Sequence, residues 1–215
     1  MNNILTLFHG YAGLLLDNPK LDRQTKEGLA KMKEGAASAS ELMDRIHALA
    51  RPATLVWREV RVGDFLRAMK PSIMALCGPR TEVEFDLPDE VPPAWTDAGR
   101  VKTIMFELMR NALEATFTTG GRVKVELRAV PAPGGTPASS PWVSLKVHDN
   151  GPGIAEEVKD RIFEPFFSTK KRKHNAGLGL TVVATFVQHL GGFLRSHSVP
   201  GDTEFQVLLP SQATA

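Results

Sequence analysis

One cysteine and one tyrosine are all that this 215-residue chain holds of those two types. Cys77 alone allows no internal disulfide, and no Cys/His cluster has the spacing of a zinc site. The fold is therefore expected to stand on packing, in a reducing cytoplasmic setting. An excess of one charge is also lacking: 26 Lys and Arg against 24 Asp and Glu leave a net +2. That balance implies neither a surface built to coat nucleic acid nor an acidic tail. No apolar run reaches the ~18–20 residues that cross a bilayer, and Met1 is followed by "NNILTLF" rather than by basic residues. Neither a membrane helix nor a signal peptide is expected in the chain, while a longer parent could still be membrane-associated. What is present is 42% hydrophobic residues. Domains usually hold roughly 100–200 residues, so one main core with a smaller appendage is expected.

The appendage comes first. Ile4, Leu5, Phe8, Tyr11, Ala12 and Leu15 recur at helical steps, and so do Leu29, Met32, Ala36, Ala39, Met43, Ile46 and Ala50 after the turn residues Asp17, Asn18 and Pro19. Two helices joined by a short turn are predicted over residues 1–52. The second carries a narrow seam, too thin for a core of its own, which calls for a partner pair. A homodimeric four-helix bundle satisfies it; the alternative is a hairpin folded back on its own chain.

Arg51-Pro52 ends the second helix, because the residue before proline is pushed out of the helical region. A second domain over 53–215 mixes strands and helices without strict alternation, which argues an α+β sandwich with helices on one face of a mixed sheet. Its expected strands are "TLVWREV", "TEVEFDL", "RVKVELRAV", "WVSLKVHD", "GGFLRSHS" and "TEFQVLLP". Its expected helices run from Val62 to about Leu76, Asp97 to about Ala115, near Glu156 to Ile162, and Gly179 to Leu190. The Pro/Gly/Ser-rich stretch from Pro131 to Pro141 is expected to be a hairpin connection.

Four stretches carry chemistry: "FELMRNALEAT" (Phe106 to Thr116), "DNGPGI" (Asp149 to Ile154), "IFEPFFSTK" (Ile162 to Lys170) and "AGLGLTVVATFVQHLGG" (Ala176 to Gly192). Any one alone is weak evidence, and "DNGPG" by itself is as well explained by a plain hairpin turn. In this order they resemble the N box, first glycine box, F box and second glycine box of the ATP-binding domain of sensor histidine kinases. The resemblance covers about Leu55 to Pro210 and extends to the hairpin.

It implies ATP and Mg²⁺ as cofactors. Asp149, an acceptor when ionised, suits the exocyclic amine of adenine, and Gly151 and Gly153 let the turn approach the base. Asn111 is implied as the magnesium ligand, its amide oxygen sharing the ion with phosphates and water. Glu107 stands one helical turn earlier, where related ATPases carry a water-activating base and many histidine kinases carry Asn; the alternative is a solvated helical charge. Lys170, Lys171 and Arg172, followed by Gly177, Leu178 and Gly179 at the start of a helix, would take the phosphates, or the basic run is an ordinary solvated loop. Phe163, Phe166 and Phe167 are expected as core or lid-anchoring aromatics.

The opening residues resemble the dimerisation and phosphoacceptor helix. In that register the acceptor histidine would stand two positions ahead of Met1, and Asn3 matches an amide that positions water for dephosphorylating a partner. His9 lies on another helical face and is expected to be partly buried or at an interface. The function implied is a two-component kinase core that phosphorylates a histidine and passes the group to a response-regulator aspartate. Alternatives are a histidine-less dimeric adaptor or phosphatase that docks a response regulator, and an ATPase or serine kinase of the same superfamily.

Overall fold

The computed structural model describes residues 2–50, 54–78, 80–117, 120–134, 141–169 and 177–212. The chain divides into two compact units, a helical hairpin and a second unit that begins at Thr54. In the hairpin, α1 (Asn2–Leu16) and α2 (Arg23–Ala50) pack side by side. Their connection is closed by local hydrogen bonds. The Asn18 side chain accepts from the Lys20 N–H at 3.0 Å, and Asp22 caps α2 by accepting from the Thr25 N–H at 2.9 Å and its hydroxyl at 2.6 Å. Of the expected seam, Ala36 is buried but Met32 is 55% exposed. His9 is exposed in the single chain, so the expectation of partial burial is not met within it.

The second unit runs β1 (Arg58–Val60), α3 (Val62–Met74), β2 (Glu82–Asp86), β3 (Ala94–Thr96), α4 (Ala98–Thr116), β4 (Arg122–Val130), β5 (Trp142–Asp149), a 3-10 turn (Glu156–Arg161), α5 (Gly179–His189), β6 (Phe193–Val199) and β7 (Asp202–Pro210). Its main sheet has the order β2-β4-β5-β7-β6, with β2 and β4 parallel and the other pairs antiparallel, so the sheet is mixed as expected. Period-two alternation fixes which face is which. Val123, Val125 and Leu127 of β4, Val143, Leu145 and Val147 of β5, and Phe205, Val207 and Leu209 of β7 are buried on one face. Leu66 and Ile73 of α3, Ile104, Met105 and Leu108 of α4, and Val182 and Val183 of α5 are among the buried helical side chains of this unit's core. The opposite face carries Lys124, Glu126, Arg128, Lys146, His148 and Glu204; Lys124 and Arg128 pair with Asp86 of β2, and Lys146 with Glu204 across β5 and β7.

Three expectations need correction. "TLVWREV" contributes only Arg58–Val60, because its partner β3 is itself three residues long. β3 is absent from the expected strands; it lies just after Pro92 and Pro93, which have no N–H to give a ladder. The segment near Glu156 is a 3-10 turn with no buried residue. β4 and β5 pair from Val123 with Asp149 to Val130 with Trp142, so the stretch between them is a hairpin connection, of which residues 135–140 lie outside the described ones. Among the described residues, no helix is long and apolar enough to cross a membrane.

Candidate nucleotide site

α4 is the floor of the site. Asp97 starts it, accepting from the Arg100 N–H at 2.9 Å and, through its other oxygen, from the Val56 N–H at 2.8 Å. Glu107, Asn111 and Ala115 then fall on successive turns of one face. At the far end of that face sits Gly151, where an added Cβ would stand 2.9 Å from the Ala115 Cβ and 2.7 Å from Asp149 Oδ1. At the near end sits Gly179, where a Cβ would stand 2.7 Å from Glu107 Oε2. At Gly151 a larger side chain is shut out by Ala115, and at Gly179 it would displace the Glu107 carboxylate. Two loops far apart in sequence are thereby pressed onto one helix face, with Asn111 between them.

Asp149 ends β5 and is 6% exposed; its Oδ1 accepts from the Gly151 N–H at 2.9 Å. The loop after it is braced from both sides. Asn150 Oδ1 accepts from the Arg122 N–H at 2.7 Å, and the Gly201 N–H donates to the Gly151 carbonyl at 2.8 Å. Gly153, at φ +80°, lies on the β6–β7 turn, where a Cβ would meet the Val199 carbonyl carbon at 2.8 Å. Two residues absent from the expectations complete this corner. Thr203, buried, pairs with Asp149 in register, and its hydroxyl is 2.9 Å from Ser198 Oγ, which accepts from the Ile154 N–H at 2.9 Å. No spacing in the sequence signals them, because only strand register brings Thr203 beside Asp149.

The second glycine box divides between two tasks. Gly177 and Gly179 open α5, whose first residues have no side-chain cap, so that end retains backbone donors and a partial positive charge. Gly191 and Gly192 close it, donating to Gln188 and Val187 carbonyls at 3.0 and 2.9 Å. The Leu178 side chain is buried in the core, leaving only its backbone for a ligand. Gly177, at φ +66°, packs on the F box, its Cβ position 2.6 Å from the Phe166 carbonyl carbon. The aromatics of that box are not core. Phe166 is 66% exposed and Phe167 lies under the Arg161 guanidinium at 4.3 Å, while the Phe163 carbonyl accepts from the Thr181 hydroxyl at 3.1 Å.

Glu107 is not a solvated helical charge: it is buried and accepts from Arg110 Nη2 in an ion pair. Asn111 Nδ2 is buried without a hydrogen-bond partner. An amide with unspent capacity, whose nitrogen and oxygen exchange by a flip, fits a ligand-binding role. No group of three His, Cys, Asp or Glu side chains gathers to hold a metal among the described residues. A magnesium ion here would rest on one amide oxygen plus phosphates and water, a donor set that suits it. Lys170, Lys171 and Arg172 lie outside the described residues, and Asn3 falls in α1 with its side chain outside them.

Residues 96–213 match the family of histidine kinase-, DNA gyrase B- and HSP90-like ATPases, and the chain belongs to that family. Its relatives are sensor histidine kinases. It is 29% identical over 216 residues to the sensor kinase CckA of Brucella abortus (strain 2308), spanning 97% of this chain and 23% of that protein. It is 36% identical over 138 residues to the two-component sensor PprA of Pseudomonas aeruginosa, spanning 62% of this chain and 14% of that one. The structure of full-length ShkA in complex with AMPPNP superposes with a TM-score of 0.74 at 26% identity, covering 99% of this chain and 45% of that chain. The chain thus spans less than a quarter of the length of these two curated relatives, and the match to ShkA includes the hairpin as well as the ATPase fold.

Proposed function

We propose that the chain is the dimerising and catalytic core of a two-component histidine kinase, with a dimerisation hairpin over 1–52 and an ATP-binding domain over 53–215. The observation that carries this is the single face of α4 on which the Asp149 loop and the Gly177–Gly179 turn converge around Asn111. Asp149 would accept from the adenine amine, with Thr203 holding the same corner. Phosphates would run along α4 toward the uncapped start of α5, joined by Lys170, Lys171 and Arg172. Asn111 would hold Mg²⁺, which when bound neutralises phosphate charge. The chain's own part is positioning: the two loops fix the ends of the nucleotide so that the γ-phosphoryl group faces an incoming acceptor.

The exposed apolar stripe of α1, with Leu7, Tyr11 and Leu14 at successive turns, favours a second hairpin as partner. A homodimeric four-helix bundle results, on which a response regulator would dock and Asn3 would position water for its dephosphorylation. The resemblance sets the acceptor histidine two positions ahead of Met1, so the test uses the chain extended by His-Asp in helical register, incubated with γ-labelled ATP and then with acid. Acid-labile label is expected. Acid-stable label would move the assignment to a serine kinase, and acid-labile label lost with His9→Gln would move the acceptor to His9.

A further inference from the structure

Glu107 and Arg110 stand one turn apart on α4 and form an ion pair that lies close beneath Gly179. Glu107 Oε2, the oxygen that accepts from Arg110 Nη2, lies where Gly179 has only hydrogen; a Cβ there would also come within 3.4 Å of Nη2. Arg110 Nε is buried without a hydrogen bond, 4.0 Å from Glu114 Oε1. The guanidinium therefore meets Glu107 through one nitrogen and forgoes a bond at another. That is an expensive arrangement for a residue with no task beyond helix stability.

The position of Glu107 gives the task. If the γ-phosphate of a bound nucleotide reaches the start of α5, a carboxylate one turn before Asn111 and beside Gly179 would be the nearest group able to take a proton from an attacking nucleophile. Water is always present, whereas a side-chain acceptor must be brought in by another part of the protein. An enzyme that transfers phosphoryl to a side chain must keep its base from serving water.

We propose that Arg110 is a specificity-determining residue: by holding the Glu107 carboxylate in an ion pair against Gly179, it withholds the base that would activate water and reserves the γ-phosphoryl group for a side-chain acceptor. This rests on the site being an ATP site. In the reaction suppressed, the water oxygen bonds to the γ-phosphorus while its proton passes to Glu107. The bond from phosphorus to the β–γ bridging oxygen breaks, and its electron pair leaves on ADP.

The test measures inorganic phosphate released from Mg-ATP by the whole chain from about pH 6 to about pH 9, beside calorimetric titration with ADP and a thermal melt. Arg110→Met is expected to raise phosphate release by ~10-fold or more and to change ADP affinity by less than ~3-fold. Adding Glu107→Gln should return release to the wild-type rate, and Arg110→Lys, which keeps the charge, should keep it low. Should Arg110→Met not fold, Arg110→Gln removes the charge while keeping a donor and carries the same expectation. A folded Arg110 variant with unchanged or lower release, or a raised release that survives Glu107→Gln, overturns the proposal. A loss of ADP affinity beyond ~10-fold overturns it too, making Arg110 a phosphate ligand. Failure of the underlying reading is separate: the wild-type chain would not bind ADP at all.

Discussion

α1 and α4 are both amphipathic helices, of 15 and 19 residues, and they end in opposite states. On α4, Val101, Ile104, Met105, Leu108 and Met109 are at most 1% exposed, sealed by the sheet and by α5. On α1, Leu7, Tyr11 and Leu14 stay 58–71% exposed, although the helix is the more apolar of the two. The second unit closes its core within one chain, as a rigid nucleotide site requires, because hydrogen-bond geometry tolerates little drift. The hairpin instead presents apolar surface that water does not favour, so its stability is tied to whatever covers it.

The largest effect is expected where that difference is attacked directly. Leu7→Asp with Leu14→Asp puts two charges into the stripe and should turn a dimer into a monomer, costing about 3 kcal/mol or more of association. Light scattering reads the mass, and ADP affinity should not move; a mass that is unchanged, or a wild type that is already monomeric, breaks the comparison from the hairpin side. The second unit is tested by Gly153→Val, since φ +80° and the 2.8 Å approach to Val199 leave a side chain no room. Strain of that kind costs on the order of 1–3 kcal/mol, visible as a lower denaturation midpoint for this unit alone.

A smaller loss is expected from Asp97→Ala, which removes the α4 cap and the acceptor for Val56: about 0.5–2 kcal/mol by denaturant titration. The smallest lies on the solvent face of the sheet. There the hydrogen bond from Arg128, joined by its charge and by Lys124, holds the Asp86 carboxyl below its ordinary range against the opposing effect of desolvation. A lowered pKa stabilises the folded state at pH values above the ordinary carboxylate range, and the contribution is lost as pH falls through the lowered value. Asp86→Asn should therefore lower the melting temperature slightly at pH 7, and the difference from wild type should fade below about pH 4. A difference that persists in acid would mean that the charge of Asp86 is not what matters.

Much of this arrangement was legible in the residues. β4 and β5 have the bounds their alternation implies, because a strand inside a sheet with one apolar face leaves its period in the sequence. α4 and α5 were readable for the same reason, at a period of 3.6. What the sequence could not carry was adjacency across register or across loops. Thr203 and Ser198 reach the Asp149 corner only through strand pairing, and the Glu107–Arg110 pair gains its meaning only once Gly179 is laid on it. The F-box aromatics misled for a related reason: three Phe in five residues look like core, yet Phe166 is turned outward at φ +65° with its carbonyl group packed on Gly177. β3 was hidden because two prolines precede it and only three residues pair.

Reading of adenine by Asp149 at one end of the α4 face is tested by calorimetric titration of the chain with ADP, wild type against Asp149→Asn. The substitution keeps the shape of the side chain and replaces an acceptor-only group by an amide. Affinity should fall by about 1.5–3 kcal/mol, the worth of a hydrogen bond to a charged group, which is roughly 10- to 150-fold. Equal affinity in the two proteins would take Asp149 out of the base site and contradict the account.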